Sequence, residues 1–249
     1  EQEDVFNVVE KLLVNTFKKF SDKKLMYDQF PKISYADAML KYGSDKPDLR
    51  NPLVINDITE VFSREDVSFE IFKKLTKSGS KVRCISTKNT KDKPRSFFDN
   101  IDKWAKEQGA SGLAYFTFED DGELSAKGPI GKFFSKEALV EIMKKTNSEV
   151  GDSIFMACGK LNELEKITAL ARDKIAQDLD LIDDNIFAFC WIVDYPMFER
   201  DETTNKIGFS HNPFSMPQGD LTDKQLEDPL NILAYQYDIV CNGIELSSG

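Results

Sequence analysis

Two carboxylates lie within a predicted β-hairpin around residue 240. Asn242-Gly243 separates two alternating apolar runs, and Asn-Gly in that setting is the strongest short signal for a two-residue turn. The turn fixes the predicted register, which pairs Cys241 with Ile244, Val240 with Glu245, Ile239 with Leu246 and Asp238 with Ser247. Asp238 and Glu245 then share a face with Val240 and Ser247, as diagonal neighbours about 7–8 Å apart at the backbone.

This carboxylate pair suggests a cation site. Two like charges on one face repel unless something positive lies between them, and Mg²⁺ with a phosphate-bearing ligand accepts such carboxylates. A solvated strand face explains Asp238 and Glu245 equally well from the sequence alone. The opposite face is apolar and consists of Ile239, Cys241, Ile244 and Leu246. It is predicted to pack into the core.

His211 is the only histidine, so any histidine chemistry must occur there. It lies in a polar loop that Pro213 and Pro217 stiffen, and loops on a rigid scaffold often carry binding residues. A lone histidine is nevertheless more often a loop residue without a function. The sequence therefore marks His211 as a candidate and leaves both explanations open.

The common nucleotide-binding and hydrolase motifs are absent from the sequence. It contains no G-x-x-x-x-G-K-[ST], no G-x-G-x-x-G, no G-x-S-x-G and no zinc-ligand spacing. The cysteines are far apart and form no C-x-x-C pair, which predicts buried free thiols in a reducing cytoplasm; they are Cys84, Cys158, Cys190 and Cys241. Any nucleotide must therefore be bound without a glycine-rich phosphate loop.

Most of the formal charge of −10 lies in the last part of the sequence. Residues 181–249 hold 12 Asp and Glu against Arg200, Lys206 and Lys224. Such a surface repels bare phosphate, so nucleotide chemistry there requires a divalent cation or basic groups from elsewhere, although a merely soluble surface explains the acidity as well. No run of about 18 apolar residues occurs, so no membrane span is predicted.

Helices and strands must position these residues. The apolar spacing over residues 3–20 predicts an amphipathic helix that needs a partner surface, with Val5, Val9, Leu12, Leu13, Phe17 and Phe20 on its inner face. The capping pattern from Ser34 to Asp37 predicts a second helix. Residues 57–182 alternate short strands and helices, which predicts a self-contained α+β domain. The apolar run 186–193 predicts a central strand buried on both faces.

Five stretches resemble, in order, signatures of bacterial-type aspartyl-tRNA synthetases. They are YGSDKPDLR from Tyr42, KGPIGKF from Lys127, IVDYPMFE from Ile192, HNPFS from His211, and Tyr237-Asp238 with Asn242 to Glu245. Any one of them is weak, but five in order over the whole chain make a specific resemblance. Many family members have two adjacent histidines where this chain has His211-Asn212, so only the role of the first histidine is carried over.

The resemblance implies an α+β fold that belongs to the catalytic domain of a class II synthetase. Such a domain is an antiparallel sheet flanked by helices, and in bacterial enzymes an inserted α+β domain interrupts it. Residues 1–56 and 183–249 are expected to be catalytic-domain pieces and residues 57–182 the insertion. Because the chain starts inside a helical pattern without a methionine, it is expected to be a piece of a longer protein.

The resemblance also implies an activity, which is ATP-dependent activation of L-aspartate and its transfer to the 3′ end of tRNA(Asp), with tRNA(Asn) open as a second substrate. His211 is expected to bind L-aspartate near its ammonium group, Glu245 to contact ATP, and Asp238 with Glu245 to hold Mg²⁺. No catalytic residue in the covalent sense is expected, because the reaction relies on positioning and electrostatics. The full-length protein is expected to be a cytoplasmic homodimer without a membrane contact.

The isolated chain is expected to be inactive. By the resemblance, the anticodon-binding β-barrel, the arginine motifs that hold ATP, and the lysine and arginine that bind the substrate carboxylate all lie outside residues 1–249. The alternative from another functional class is a stand-alone tRNA-binding or interaction module built on residues 57–182.

Overall fold

The computed structural model describes residues 1–201, 204–210, 212–219, 221–222 and 227–249. The α-helices in this part of the chain are α1 (Gln2–Phe20), α2 (Tyr35–Tyr42), α3 (Glu70–Lys77), α4 (Arg95–Glu107), α5 (Lys136–Thr146) and α6 (Leu161–Asp178). The first strands are β1 (Lys24–Leu25), β2 (Lys32–Ser34), β3 (Ile55–Asp57), β4 (Lys81–Thr87), β5 (Ala114–Asp120), β6 (Leu124–Lys127) and β7 (Ser153–Gly159). They are followed by β8 (Ile186–Phe187), β9 (Phe189–Val193), β10 (Tyr195–Pro196), β11 (Phe198–Arg200), β12 (Ile207–Phe209), β13 (Leu233–Ala234), β14 (Asp238–Cys241) and β15 (Ile244–Ser248).

Contacts between Cα atoms divide the chain into two compact units. Unit 1 consists of Glu1–Met39, Ser44–Arg50 and Ile182–Gly249, and unit 2 of Leu40–Gly43 and Asn51–Leu181. Unit 1 is therefore assembled from segments that are distant in sequence, whereas unit 2 is almost continuous.

Unit 1 is built on a sheet with the strand order β15-β14-β9-β2. β14 pairs antiparallel with both β15 and β9, and β2 runs parallel to β9. Every residue of β14 is buried, whereas every residue of β15 is exposed. Strand β14 therefore lies inside the unit, and β15 lies at the edge of the described sheet.

Helix α1 covers one face of this sheet, which confirms the predicted amphipathic helix. The residues that pack against the sheet are Phe6, Val9, Leu13 and Phe17. The Nε1 of Trp191 on β9 donates a hydrogen bond to Glu10 at 2.8 Å. Part of the predicted inner face is wrong, because Val5, Leu12 and Phe20 are 39%, 62% and 77% exposed. Phe6, which the predicted set lacked, rotates the buried stripe away from these positions.

The apolar run at residues 186–193 forms two strands instead of one. β9 lies between β14 and β2 and is largely buried, as predicted. β8 leaves this sheet and pairs in parallel with β1. The break falls at Ala188, whose N–H donates a hydrogen bond to the side chain of Asn242 at 2.8 Å instead of to a strand neighbour.

Unit 2 contains an antiparallel sheet in the order β3-β4-β7-β5-β6, with apolar side chains on both faces. One face packs with α5 in a core cluster that includes Val82, Cys84, Phe116, Phe118, Ile154, Met156, Leu139 and Ile142. On the other face Phe98 of α4 stacks on Tyr115 and Phe155, with ring centroids 4.9 and 5.6 Å apart. Both faces contribute buried apolar area, which is the main stabilising term in folding.

The structure shows a mixed helix and strand fold with antiparallel sheets. All four cysteines are free, as predicted; Cys158 is half-buried and the others are buried. Burial raises the pKa of each thiol, to about 12 for Cys190 and to about 11 for Cys158 and Cys241. These thiols are protonated at neutral pH and are therefore poor nucleophiles. Among the helices of the described residues, none combines the length and apolar character that a bilayer span requires.

Candidate functional site

The hairpin formed by β14 and β15 turns at the predicted position. Asn242 and Gly243 both have positive φ, 53° and 81°, which a two-residue hairpin turn of this kind requires. Cys241 pairs with Ile244 and Val240 pairs with Glu245, as predicted. Asp238 lies two positions before Val240 on β14. Glu245, which pairs with Val240, is therefore a diagonal neighbour of Asp238 across the hairpin.

Beyond these pairs the predicted register is wrong. Ile239 pairs with Ser247 and Asp238 with Ser248, because a bulge leaves Leu246 as an extra residue of β15. Ser247, which pairs with Ile239, does not share the face of Glu245. A bulge of this kind has no clear sequence signal, since neither a glycine nor a proline marks it.

The predicted apolar face of the hairpin is only half correct. Ile239 and Cys241 are buried against α1, with 1% and 6% exposure. Ile244 and Leu246 are 66% and 44% exposed. The strand pattern predicted burial for all four, but no described element covers the outer strand.

Asp238 is a buried carboxylate on the sheet face opposite α1, with 4% exposure. Its Oδ2 accepts a hydrogen bond from the hydroxyl of Tyr195 at 2.6 Å. Its Oδ1 is buried and has no hydrogen-bond partner among the described residues. Burying a carboxylate oxygen without a partner is unfavourable. A positive group bound to Oδ1 would offset that cost and would explain why an aspartate is buried here.

Tyr195 reaches Asp238 because the chain turns sharply after β9. Asp194 adopts a left-handed φ of 57°, and its carboxylate accepts a hydrogen bond from the side chain of Gln218 at 2.7 Å. Burial raises the pKa of Tyr195, and its bond to Asp238 and the charges of Asp45 and Glu245 raise it further. The phenol therefore stays neutral and donates a hydrogen bond to Oδ2 of Asp238.

A lysine already lies beside Glu245. The Nζ of Lys46 is 3.3 Å from Glu245 Oε2 and 2.7 Å from Asp45 Oδ2. Burial disfavours the charged form of Lys46, but the two carboxylates outweigh this effect and raise its pKa. The side chains of Lys46 and Glu245 are 37% and 35% exposed, and ion pairs exposed to that degree contribute only ~0–1 kcal/mol. Glu245 can therefore exchange Lys46 for a cation of higher charge at little cost.

The loop that carries Asp45 and Lys46 is held by its own side chains. The guanidinium of Arg50 forms a fork on Asp48, at 2.7 Å from Nη2, and also pairs with Asp184 at 3.0 Å. The loop lies close to the hairpin turn, since a Cβ added at Gly243 would be 3.5 Å from the Cβ of Asp48. Sequence reasoning gave no role to Asp45, Lys46 or Tyr195, because their approach to Asp238 and Glu245 depends on contacts between distant segments.

Comparison with known proteins decides the family. The family described as tRNA synthetases class II (D, K and N) has a model that matches residues 1–249. This chain is a member of the class II tRNA synthetases. It is 78% identical over 249 residues to the "Aspartate--tRNA(Asp/Asn) ligase" of Pelagibacter ubique (strain HTCC1062). The match covers all of this chain and 42% of that relative.

Two further relatives carry the same name. The ligase of Wolbachia sp. subsp. Drosophila simulans (strain wRi) is 54% identical over 249 residues, and that of Gluconobacter oxydans (strain 621H) is 50% identical over 250 residues. Each match covers all of this chain and 41% of the relative. The class II synthetase chain in hand thus spans about two fifths of the length of these relatives.

The carboxylates of this class II synthetase chain fit a cation that is bound together with a phosphate ligand. Mg²⁺ is usually held by one or two carboxylates, substrate phosphates and water. Asp238 offers a free oxygen and Glu245 a partly exposed carboxylate. Within the part of the chain that the structure describes, no group of three or more His, Cys, Asp or Glu is placed to hold a metal ion. Two carboxylates are the number that Mg²⁺ often takes from a protein when phosphates and water complete its coordination.

His211, the predicted aspartate-binding residue, lies outside the described residues. Its neighbour Asn212 donates a backbone hydrogen bond to the side chain of Gln236 at 3.3 Å. The role of His211 stays a prediction.

Proposed function

We propose that this chain is part of an aspartate–tRNA ligase that activates L-aspartate with ATP and transfers it to tRNA(Asp) and tRNA(Asn). The observation that carries the proposal is the 78% identity over all 249 residues to a ligase of that name. The buried carboxylate of Asp238, which has one unpartnered oxygen and lies on the same hairpin as Glu245, gives independent support.

The proposed first step joins two anions. An oxygen of the aspartate carboxylate forms a bond to the α-phosphorus of ATP, and the bond from that phosphorus to pyrophosphate breaks, so that pyrophosphate leaves with the electron pair. In the second step the oxygen of a hydroxyl at the 3′ end of the tRNA forms a bond to the aspartyl carbonyl carbon and its proton passes to water. The bond from that carbon to the phosphate oxygen breaks, so that AMP leaves with the electron pair. Positioning and charge neutralisation are the main requirements of both steps.

We assign Asp238 and Glu245 to Mg²⁺ and Glu245 also to ATP. When bound, Mg²⁺ would neutralise phosphate charge during activation. Tyr195 donates to Oδ2 of Asp238, which orients the carboxylate and leaves Oδ1 for the cation. Lys46 pairs with Glu245 and keeps its side chain beside the hairpin. We assign His211 to L-aspartate, near the ammonium group of the substrate.

The remaining assignments follow the same proposal. Unit 1 corresponds to two pieces of a class II catalytic domain, and unit 2 to a domain inserted between them. A homodimer and a cytoplasmic location are proposed for the full-length protein. Sedimentation of that protein at several concentrations tests the dimer.

The proposal is tested in a chimeric ligase, defined as the Pelagibacter ubique ligase with its matching segment replaced by these 249 residues. We expect aspartate-dependent exchange of pyrophosphate into ATP within about tenfold of the unsubstituted ligase, a barrier difference under ~1.4 kcal/mol. Exchange with lysine in place of aspartate is the control and should be undetectable. Charging of purified tRNA(Asp) and tRNA(Asn) then tests the two RNA substrates separately. A chimera that unfolds at the same temperature as its parent but shows no exchange contradicts the proposal.

A further inference from the structure

Unit 2 carries a groove with a volume of about 570 Å³. Four cationic side chains line it, which are Lys91, Lys93, Arg95 and Lys127. Lys91 and Lys93 lie between β4 and α4, Arg95 is the first residue of α4, and Lys127 is the last residue of β6. This basic groove shares no residue with the hairpin site.

Positive charge exceeds negative charge in the basic groove. Lys127 pairs with Glu119 at 3.2 Å, and Arg95 pairs with Asp99 at 3.2 Å. Lys91 and Lys93 are exposed and have no ion-pair partner within the described ranges of the chain. Two positive charges therefore remain available to a ligand.

The floor of the basic groove is apolar and closely packed. Tyr115 and Phe98 form it, with 7% and 4% exposure and stacked rings. The opposite wall approaches at Gly128, where an added Cβ would lie 2.9 Å from the carbonyl oxygen of Tyr115. The cationic side chains along the groove can contact the phosphates of a nucleic-acid backbone.

The loop that carries Lys91 and Lys93 is fixed by a buried polar network. The hydroxyls of Thr87 and Thr90 lie 2.8 Å apart, and Thr90 donates to Ser153 at 2.8 Å. The N–H of Asn89, at a left-handed φ of 52°, donates to Asp152 at 2.9 Å.

Loop order matters for binding. A buried network in which every polar group has a hydrogen-bond partner holds a loop in one conformation. This lowers the entropic cost of ordering the loop when a ligand binds. The unpaired lysines are therefore presented on a rigid support.

We propose that the basic groove binds the phosphate backbone of RNA. In the ligase proposed above this RNA is the tRNA substrate, a step that rests on the proposed function. Unit 2 has 22 acidic and 22 basic residues, whereas the rest of the chain has 21 and 11, so unit 2 repels a polyanion least. The contacts are to phosphates and therefore position the RNA without reading its sequence.

The test uses the 249-residue chain and a fluorescent tRNA(Asp) transcript, with affinity measured between about 50 and 200 mM salt. The groove variant carries Lys91→Gln and Lys93→Gln. The matched control carries Lys74→Gln and Lys77→Gln, which neutralise two exposed lysines of α3 outside the groove. We expect the groove variant to bind roughly tenfold more weakly and to lose about two units of the slope of log K against log salt. The control should match the unsubstituted chain.

Several outcomes overturn this inference. They are no measurable binding by the unsubstituted chain, an unchanged slope in the groove variant, an equal loss in the control, and preference for a poly-glutamate peptide over the transcript. Lys127→Gln on the opposite wall removes a charge that Glu119 already pairs, so it should lower the slope by less than half as much as the groove variant does.

The result is separable from the proposed function. Pyrophosphate exchange requires no tRNA, so the chimeric ligase with the groove substitutions should keep it. A chimera without exchange contradicts the ligase proposal and leaves the RNA-binding result standing.

Discussion

The two units of this chain have opposite relations to phosphate. Unit 1 has 21 acidic and 11 basic residues and accounts for the whole formal charge of −10, whereas unit 2 has 22 of each and is neutral. Unit 1 nevertheless carries the hairpin site proposed for ATP. A surface with this excess of carboxylates can accept a nucleotide only with a cation that offsets both the carboxylates and the phosphates. Unit 2 can contact phosphates directly through lysines.

A buried carboxylate in unit 1 and one in unit 2 differ in how many partners they have. In unit 1 an oxygen of the buried Asp238 has no partner among the described residues. In unit 2 the carboxylate of the buried Asp152 accepts hydrogen bonds from the backbone N–H groups of Asn89 and Glu149. It also forms an ion pair with Lys88. Asp152 therefore stabilises a loop, whereas the free oxygen of Asp238 is where we propose that the cation binds.

The largest expected effect is complete loss of activation in the isolated chain. Unit 1 has too few basic groups to hold ATP against its own carboxylates, so the 249-residue chain should show no aspartate-dependent exchange. The chimeric ligase, measured in parallel, is the positive control. Exchange by the isolated chain would show that the acidic unit binds the nucleotide unaided, which breaks the comparison.

Removing either carboxylate of the hairpin site is expected to have the next largest effect. Glu245→Ala or Asp238→Ala in the chimeric ligase should lower the rate of aspartyl-adenylate formation about a hundredfold, ~2.7 kcal/mol. The fold decrease in rate for the double variant should be far smaller than the product of the two single decreases, because the two carboxylates act as a unit.

Asp238→Asn provides the matched control for shape. It keeps the size of the side chain but removes the charge, so it should be nearly as slow as Asp238→Ala. Rates at the level of the unsubstituted chimera with either alanine variant would refute the cation site.

A matched pair of tyrosine variants compares the two units in stability. Tyr195→Phe removes the only described donor to the buried Asp238, so the free energy of unfolding should fall by about 1–3 kcal/mol. Tyr115→Phe removes a bond to Asp99, whose side chain is 49% exposed and can bind water, so the loss should be below about 1 kcal/mol. Urea unfolding of both variants measures the difference. Equal losses of unfolding free energy would show that the buried Asp238 depends on its hydrogen-bond donor no more than the partly exposed Asp99 does.

Substitution of His211 is expected to affect one ligand and spare the other. His211→Ala in the chimeric ligase should weaken L-aspartate binding about tenfold, since a hydrogen bond to a charged group contributes roughly 1.5–3 kcal/mol. ATP affinity should be nearly unchanged. Isothermal titration of each ligand decides the question, and equal aspartate affinity in both proteins would leave His211 as a loop residue without this function.

The smallest expected effect is a dependence of stability on alkaline pH. Burial, and then the hydrogen bond to Asp99, raise the pKa of Tyr115 to about 12. The unfolded chain releases this proton near pH ~10, so the stability due to Tyr115 is present below that value and is lost as the pH rises toward 12. Tyr115→Phe should flatten the decline in unfolding free energy between those pH values. An identical decline in the variant would assign it to other residues.

Local signals in the sequence were sufficient for several elements. Helix α1, helix α2 and the hairpin turn follow from apolar spacing, from the capping pattern at Ser34 and from Asn242-Gly243. The hydroxyl of Ser34 accepts the N–H of Asp37 at 3.1 Å, as that pattern predicts. These features depend on residues within a few positions of one another, and the sequence displays such neighbours directly.

The sequence also determined the candidate pair itself. Asp238 and Glu245 lie on either side of one tight turn, and the structure keeps Glu245 opposite Val240 as predicted. The similarity of the five motifs pointed to the class II family, and the match of the family to residues 1–249 confirms it.

Only the tertiary structure decided the surroundings of that pair. It placed the bulge at Leu246, the hydroxyl of Tyr195 on Asp238 and the ammonium of Lys46 on Glu245. It also decided that β15 is exposed and that the apolar run 186–193 divides at Ala188. Each of these outcomes depends on which distant segment supplies a partner. Local periodicity carries no record of that choice, because the free energy of a strand or a carboxylate depends on what the folded chain brings against it.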